Sequence, residues 1–416
     1  MSCKPKTDEK VLYKMKRIAL ALLICLTGAS SAMGVTIEWW QFWTDSDIKP
    51  VIESMVTEFE EANPDIEVEL RDLTWANGHE KIVISLASGS GPDVLELGSD
   101  WIAQFADKNQ LADITEYIVD DSSEFQGWGM ATYRDKVYAK PWILGTRVMF
   151  ANRDLLDRAG HDEDFVPINF PDLVSSTQKV DALGDDIYGW GSNAPEKHRL
   201  YKKFLPFFWS YGGKIYSDDG KYVLLAAMPG IEGLRKYKWL HEHVGYVANQ
   251  RGLEDAFLDG KIGYVISGDW LLKRIKKENR DIELTSMLIP GPKFPGFSFM
   301  GGEFLAINAA SENKEAAMKL IDFITAPKNQ VRFCKAAQAA NPSSLTAQED
   351  EYFTSNIHFQ TFIKQIKLAK HPPVDPNWVK IEAAIEEAVE EALFGSGLVA
   401  EPLRKAALKV RQLKAE

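Results

Sequence analysis

Residues 35–97 alternate between two periodicities that few folds accommodate. Val35-Thr-Ile-Glu-Trp-Trp-Gln-Phe-Trp43 is aromatic and β-branched, and predicts a first strand. A polar loop from Thr44 to Pro50 leads into a stretch where Val51, Met55 and Phe59 recur every fourth residue, with Ile52 and Val56 beside them. That spacing puts one apolar face on a helix. Asn63-Pro64 ends it, and Ile66, Val68 and Leu70 then alternate with acids, as in a half-buried strand. Glu80 to Ala87 reads as a second helix, Gly89-Ser-Gly-Pro92 breaks it, and Asp93-Val-Leu-Glu-Leu97 reads as a third strand. Strand, helix, strand, helix, strand in such a short span predicts a mostly parallel α/β sheet. Ligands of such sheets bind beyond the carboxyl ends of the strands. That rule places Trp43-Thr44-Asp45 and Gly98-Ser99-Asp100-Trp101 on one rim.

Further along, Trp142-Ile-Leu-Gly-Thr-Arg147 runs into another apolar stretch, and Pro171 to about His243 reads as mainly helical. Ile262 to Ile266 is a short apolar run with the look of a buried strand, stopped by Ser267-Gly268. Asp269 and Trp270 follow directly, so a turn at a strand end presents an indole. No nucleophile, metal-ligand set or phosphate loop accompanies it, which favours holding a ligand over transforming one. Met287 to Pro295 is rich in Pro and Gly, Phe304 to Ile307 reads as a strand, and Lys314 to Ile324 as a helix. His371-Pro-Pro-Val-Asp-Pro376 is a rigid connector before two closing helices near 378–393 and 399–413.

A chain of 416 residues exceeds one comfortable core and predicts two lobes. Its formal net charge of −12 argues against a nucleic-acid partner, which needs a basic patch. The beginning of the chain reads as export. Lys14-Met-Lys-Arg17 is a positive region, Ile18 to Leu26 a short apolar one, and Ala29-Ser-Ser-Ala32 offers small residues for cleavage. Residues 1–32 are therefore assigned to a signal peptide, with Met15 as a candidate start, and the product to the periplasm or cell surface. Cys25 follows a bulky Ile24 where a lipoprotein signal wants Gly or Ala, which disfavours a lipid anchor. Of three cysteines only Cys334 remains in the mature chain, so no internal disulfide is expected. His241 and His243 stand two apart and share no helix face, so they make a poor zinc pair. No cofactor motif occurs, and the absence of a Gly-Lys-Ser/Thr loop argues that the chain is not an ATPase.

Four blocks together resemble the extracellular solute-binding proteins of ATP-driven sugar importers, the maltose-binding-like family. They are the aromatic strand with Phe59-Glu-Glu-Ala-Asn-Pro-Asp-Ile-Glu-Val68; Ala87-Ser-Gly-Ser-Gly-Pro-Asp-Val94 with Asp100-Trp101; Gly260-Lys261 with Gly268-Asp-Trp270; and Gly301-Gly-Glu-Phe-Leu-Ala-Ile-Asn308 with Ser311 to Ala317. The resemblance implies two α/β lobes, each a mostly parallel sheet flanked by helices, with a ligand cleft between them. One lobe would take residues 35–143 and 305–345, the other 147–300 and 349–416, with crossings near 144, 300 and 346. It implies a carbohydrate ligand, hinge closure on it, delivery to the transmembrane subunits of an ABC permease, and a monomer without catalytic activity. Two departures stand out. Ile262-Gly-Tyr264 replaces the family's frequent Ala-Ala-Met, and Leu144-Gly-Thr-Arg147 puts a basic residue where the maltose-binding protein has a Glu. That basic residue argues against maltose itself.

By the resemblance, Trp270 stacks on a sugar face, against the plainer reading of a core Trp capping a strand. Trp43 ends the first strand as a ligand contact, with Thr44 beside it, and Trp39 and Trp40 face the core. Asp100 matches a sugar-binding acid, whose carboxylate takes hydrogen bonds from vicinal hydroxyls; its rival role is to cap the helix that begins at Trp101, and Ser99 shares both readings, ligand contact and cap. Arg147 forks onto hydroxyls or a carboxylate, or pairs across the lobes. Gly302 lets backbone approach a ligand beside Glu303. Trp378 matches an aromatic of the second lobe, with Trp209 and Trp75 as weaker candidates. Two rival readings stay open. A glycan hydrolase would need paired carboxylates, and Asp100 with Glu303 is the pair to nominate. A binding protein could instead take a polyamine, a metal complex or an organic acid, and Arg147 leaves an acidic sugar open.

Overall fold

The computed structural model describes residues 34–118 and 123–415. The segment assigned to export lies outside them. Twelve strands, in chain order, matter to the site: β1 (Val35–Gln41), β2 (Ile66–Asp72), β3 (Val94–Gly98), β4 (Ala139–Thr146), β5 (Val148–Asn152), β6 (Tyr188–Asn193), β7 (Gly245–Ala248), β8 (Ile262–Ser267), β9 (Leu284–Met287), β10 (Ser298–Ile307), β11 (Asn341–Pro342) and β12 (Ala369–Lys370). They form two sheets. The first runs in the order β11-β4-β10-β3-β1-β2, with β12 beside the start of β10. The second runs β9-β5-β8-β6-β7. β1 is parallel to both β2 and β3, as the alternation at the start of the chain predicts.

Each sheet has its own core. Trp39, Met55, Phe59, Leu97, Phe105, Trp142 and Leu305 belong to the first, and Trp190, Phe204, Phe208, Tyr237, Tyr264 and Trp378 to the second. Trp39 and Trp40 are both buried, on opposite faces of the strand, since both faces of the sheet are covered. Two long strands join the halves. β4 of the first sheet passes through the single residue Arg147 into β5 of the second. β10 begins in contact with β12 and ends between β3 and β4. The helix Ile357–Ile366 touches both halves: Phe359 and Ile366 pack into the first core, while Phe362 lies 6.0 Å from Phe150 of β5.

The span expected to be mainly helical, Pro171 to His243, is interrupted by β6, which lies between β8 and β7 in the second sheet. Its glycines obscured it, and packing requires one of them. A Cβ on Gly189 would sit 2.2 Å from the Thr177 carbonyl oxygen of the helix Phe170–Asp181, so the helix lies directly on the strand. The Gly301-Gly302 crossing is likewise continuous strand. A Cβ on Gly302 would lie 2.2 Å from the Ile143 carbonyl oxygen of β4.

Candidate functional site

Where the two halves face each other lies a cleft of about 970 Å³. The ends of strands line it, as the sheet rule requires. Trp43 stands just past β1, Gly98-Ser99-Asp100-Trp101 just past β3, and Asp269-Trp270 just past β8. Gly145 and Arg147 come from the first crossing, and Gly301, Gly302 and Glu303 from the second. Thr44 is exposed and does not line the cleft, although its neighbours Trp43 and Asp45 do. Trp209 also stays away. It lies in the second core, at the far end of the helix Leu200–Ser210 from the cleft residues Lys202 and Lys203. Trp378 is buried against Tyr201, with ring centroids 5.9 Å apart, while the next residue, Val379, reaches the cleft.

Trp270 is held on several sides. Its Nε1 donates to Glu254 Oε1 at 2.6 Å, and its benzene ring fills the space where Gly268 would carry a Cβ. The Arg147 guanidinium sits 4.4 Å from its ring centroid. The indole is therefore part of a stack with Arg147 rather than a bare surface. Open aromatic surface comes from the other wall. Trp75 is 50% exposed, lies 4.3 Å from Phe42 in a stacked pair and 5.6 Å from Trp101. His79 adds to this group, 4.7 Å from Trp101.

Polar groups converge between these walls. Asp100 lies inside the short turn Ser99–Trp101 and makes no cap; its Oδ2 accepts from Tyr201 Oη at 3.1 Å across the cleft. Asn341 Nδ2 of β11 donates to Asp269 Oδ2 at 2.6 Å, a second bond between the halves. Burial disfavours charge on the acids here. It pushes Asp269 up to about 6, and pushes Glu303 up to about 7 with help from the Asp269 charge. Burial also lowers the Arg147 guanidinium to about 10. Lys203 falls well below the usual lysine range, first through burial and then through the nearby Arg147 charge.

Several of these residues carry little sequence signal. Glu254, Gln250 and Asn341 sit in ordinary amphipathic or loop contexts. The run Lys197-His-Arg-Leu-Tyr-Lys-Lys203 was legible as a basic stretch in an acidic chain, and it borders the cleft. A second groove, about 1120 Å³, opens beside Arg153, His161, Lys276 and His358, away from the strand ends that converge on the cleft.

A model of the bacterial extracellular solute-binding protein family matches residues 45–331, more than half of the chain. The chain belongs to that family. Among curated relatives of this solute-binding protein, the maltodextrin-binding protein MdxE of Bacillus subtilis is 23% identical, covering 91% of this chain and 90% of that one. The maltotriose-binding protein of Pyrococcus abyssi is 22% identical over 82% of this chain and 74% of its own. Among solved structures, the sugar-binding protein MalE from Xanthomonas citri has a TM-score of 0.82 at 21% identity, covering 92% of this chain and 98% of that chain. UgpB from Mycobacterium tuberculosis, in complex with glycerophosphocholine, has a TM-score of 0.76 at 18% identity, with 91% and 98% covered. The two-lobed fold expected from the sequence is thus shared by solute-binding proteins with different ligands. No helix among the described residues is long and apolar enough to cross a membrane.

Proposed function

We propose that this protein captures a saccharide outside the cytoplasmic membrane and delivers it to the permease subunits of an ATP-driven importer by closing its two halves on the ligand. The observation that carries this reading is the composition of the cleft. Trp43, Trp75, Trp101 and Trp270 line it together with Asp100, Arg147 and Glu303, on strand ends from both halves. Pyranose rings present apolar C–H faces and polar hydroxyl edges, and such a mixed wall suits both. Relatives named for maltodextrin and maltotriose support the same ligand class. Closure by a hinge is the motion the two crossing strands would permit.

The test is titration calorimetry of the purified protein against a saccharide panel, with glycerophosphocholine included because a neighbouring fold binds it. Binding of a mono- or oligosaccharide at about micromolar Kd, with the sugar recovered unchanged, is the expected result. Heat from the phosphodiester alone, or cleavage of an oligosaccharide, would overturn the reading.

A further inference from the structure

The charged groups of the cleft are paired unequally. Its carboxylates are mostly spoken for. Asp269 accepts from Asn341 at 2.6 Å, and Glu254 accepts from Gln250, Ser267 and Trp270 at 2.6, 2.9 and 2.6 Å. Glu196 takes the Gln250 backbone N–H at 2.9 Å and Arg199 at 3.1 Å, and Glu382 holds His198. Glu303 makes no such bond, but burial and the Asp269 charge hold it partly protonated near neutral pH.

The cations are left with less. Arg147 donates one bond, from Nη1 to the Thr146 carbonyl at 3.0 Å, and no carboxylate lies within ion-pair distance of it among the described residues. A guanidinium carries five N–H donors in a planar fork, and Arg147 lines the cleft, so donors remain for a ligand there. Lys203 is buried and spends its ammonium on the Ile266 carbonyl at 2.5 Å, with Arg147 as its strongest neighbouring charge. Lys202 stands 3.9 Å from Asp100, at the limit of an ion pair. Arg147 therefore stands in a partly dry cleft with Asp269 and Glu303 near it but no carboxylate in ion-pair contact, and an anionic ligand would supply that contact. That arrangement sits in a chain whose net charge is −12.

Resting on the saccharide reading above, we propose that the ligand is an acidic saccharide, its carboxylate or sulfate ester received by Arg147 with Lys202 beside it. The guanidinium is positioned over the Trp270 ring, 4.4 Å from its centroid, and its fork of donors suits two parallel hydrogen bonds to a planar carboxylate. The sugar ring then lies toward Trp101 and Trp75 across the cleft.

The experiment compares three disaccharides by titration calorimetry with the full-length mature protein: a hexuronate, a sulfated sugar, and the neutral counterpart whose carboxyl is reduced to an alcohol. At least one acidic sugar should bind about tenfold or more tighter than the neutral one. Its affinity should weaken several-fold as ionic strength rises from about 0.05 to about 0.5 M. In Arg147→Gln the acidic-to-neutral affinity ratio should collapse towards one. Lys202→Gln, at a partly exposed position, should lower the same ratio by a smaller factor and serves if the hinge variant does not fold. Equal or tighter binding of the neutral sugar by wild type would overturn the acidic-ligand proposal while leaving the saccharide reading standing. Binding of glycerophosphocholine with no saccharide of any kind bound would overturn both.

Discussion

At Trp270 the indole is anchored by Glu254, backed by Gly268 and covered by Arg147, so its removal does several things at once. Trp270→Ala should weaken ligand binding about 100-fold, and should also cost about 2–3 kcal/mol of folding stability by opening a void and removing one of the hydrogen bonds to the Glu254 carboxylate. Trp270→Phe keeps a ring under Arg147 and loses only the Nε1 bond; its stability loss, read by urea unfolding, should be about 1–2 kcal/mol. A loss of stability with unchanged affinity in Trp270→Ala would return the residue to a purely structural role. The raised acids make a separate prediction. Glu303 and Asp269 bind protons more tightly folded than unfolded, so the stability they favour is fully present below the ordinary carboxylate range. It is lost as pH rises through about 6 for Asp269 and about 7 for Glu303. Stability of the ligand-free protein should therefore fall between about pH 4 and 7, at up to about 1.4 kcal/mol per pH unit for each group titrating. Glu303→Gln should flatten that slope and be more stable than wild type at pH 8. A pH-independent difference between the two would refute the assignment.

The element that does most to shape the cleft is β10, which carries Gly301, Gly302 and Glu303 from one half into the other. Gly302 packs against the backbone of β4 with no room for a methyl group, since its nearest atom would be the Ile143 carbonyl oxygen at 2.2 Å. Gly302→Ala should separate the two crossing strands and cost about 3 kcal/mol or more in chemical denaturation; a change under about 0.5 kcal/mol would show that the crossing tolerates rearrangement. Much of the element order was legible beforehand, because strands such as Ile66–Asp72, which alternates, and Ile262–Ser267, a continuous apolar run, are bounded by turn residues. β6 was not, because Gly189, required by the close helix contact, and Gly191, packed against Val265 of the neighbouring strand, dilute the strand signal. The cleft residues divide in the same way. Trp43, Asp100 and Trp270 follow strand ends and could be placed by rule, whereas Thr44 turns out to solvent and Trp209 turns into the core. Those outcomes depend on the direction of a loop and the phase of a helix. Glu254 and Asn341 reach the site only through tertiary packing.

On the scale of the whole molecule, two cores connected by few strands set the cleft apart as the place where the halves meet. The bonds Tyr201–Asp100 and Asn341–Asp269 bridge them with polar contacts. Interfaces of that kind separate and re-form at modest cost. The second groove beside His161 and His358 offers comparable space but lacks the strand ends and the tryptophan wall. The account therefore rests on location as well as chemistry, and a crystal structure of the protein grown with the saccharide that calorimetry selects tests both. It predicts sugar density between Trp101 and the Trp270–Arg147 stack, with ligand oxygens within hydrogen-bond distance of Arg147. Density in the outer groove instead, or a sugar making no contact with that stack, would contradict it.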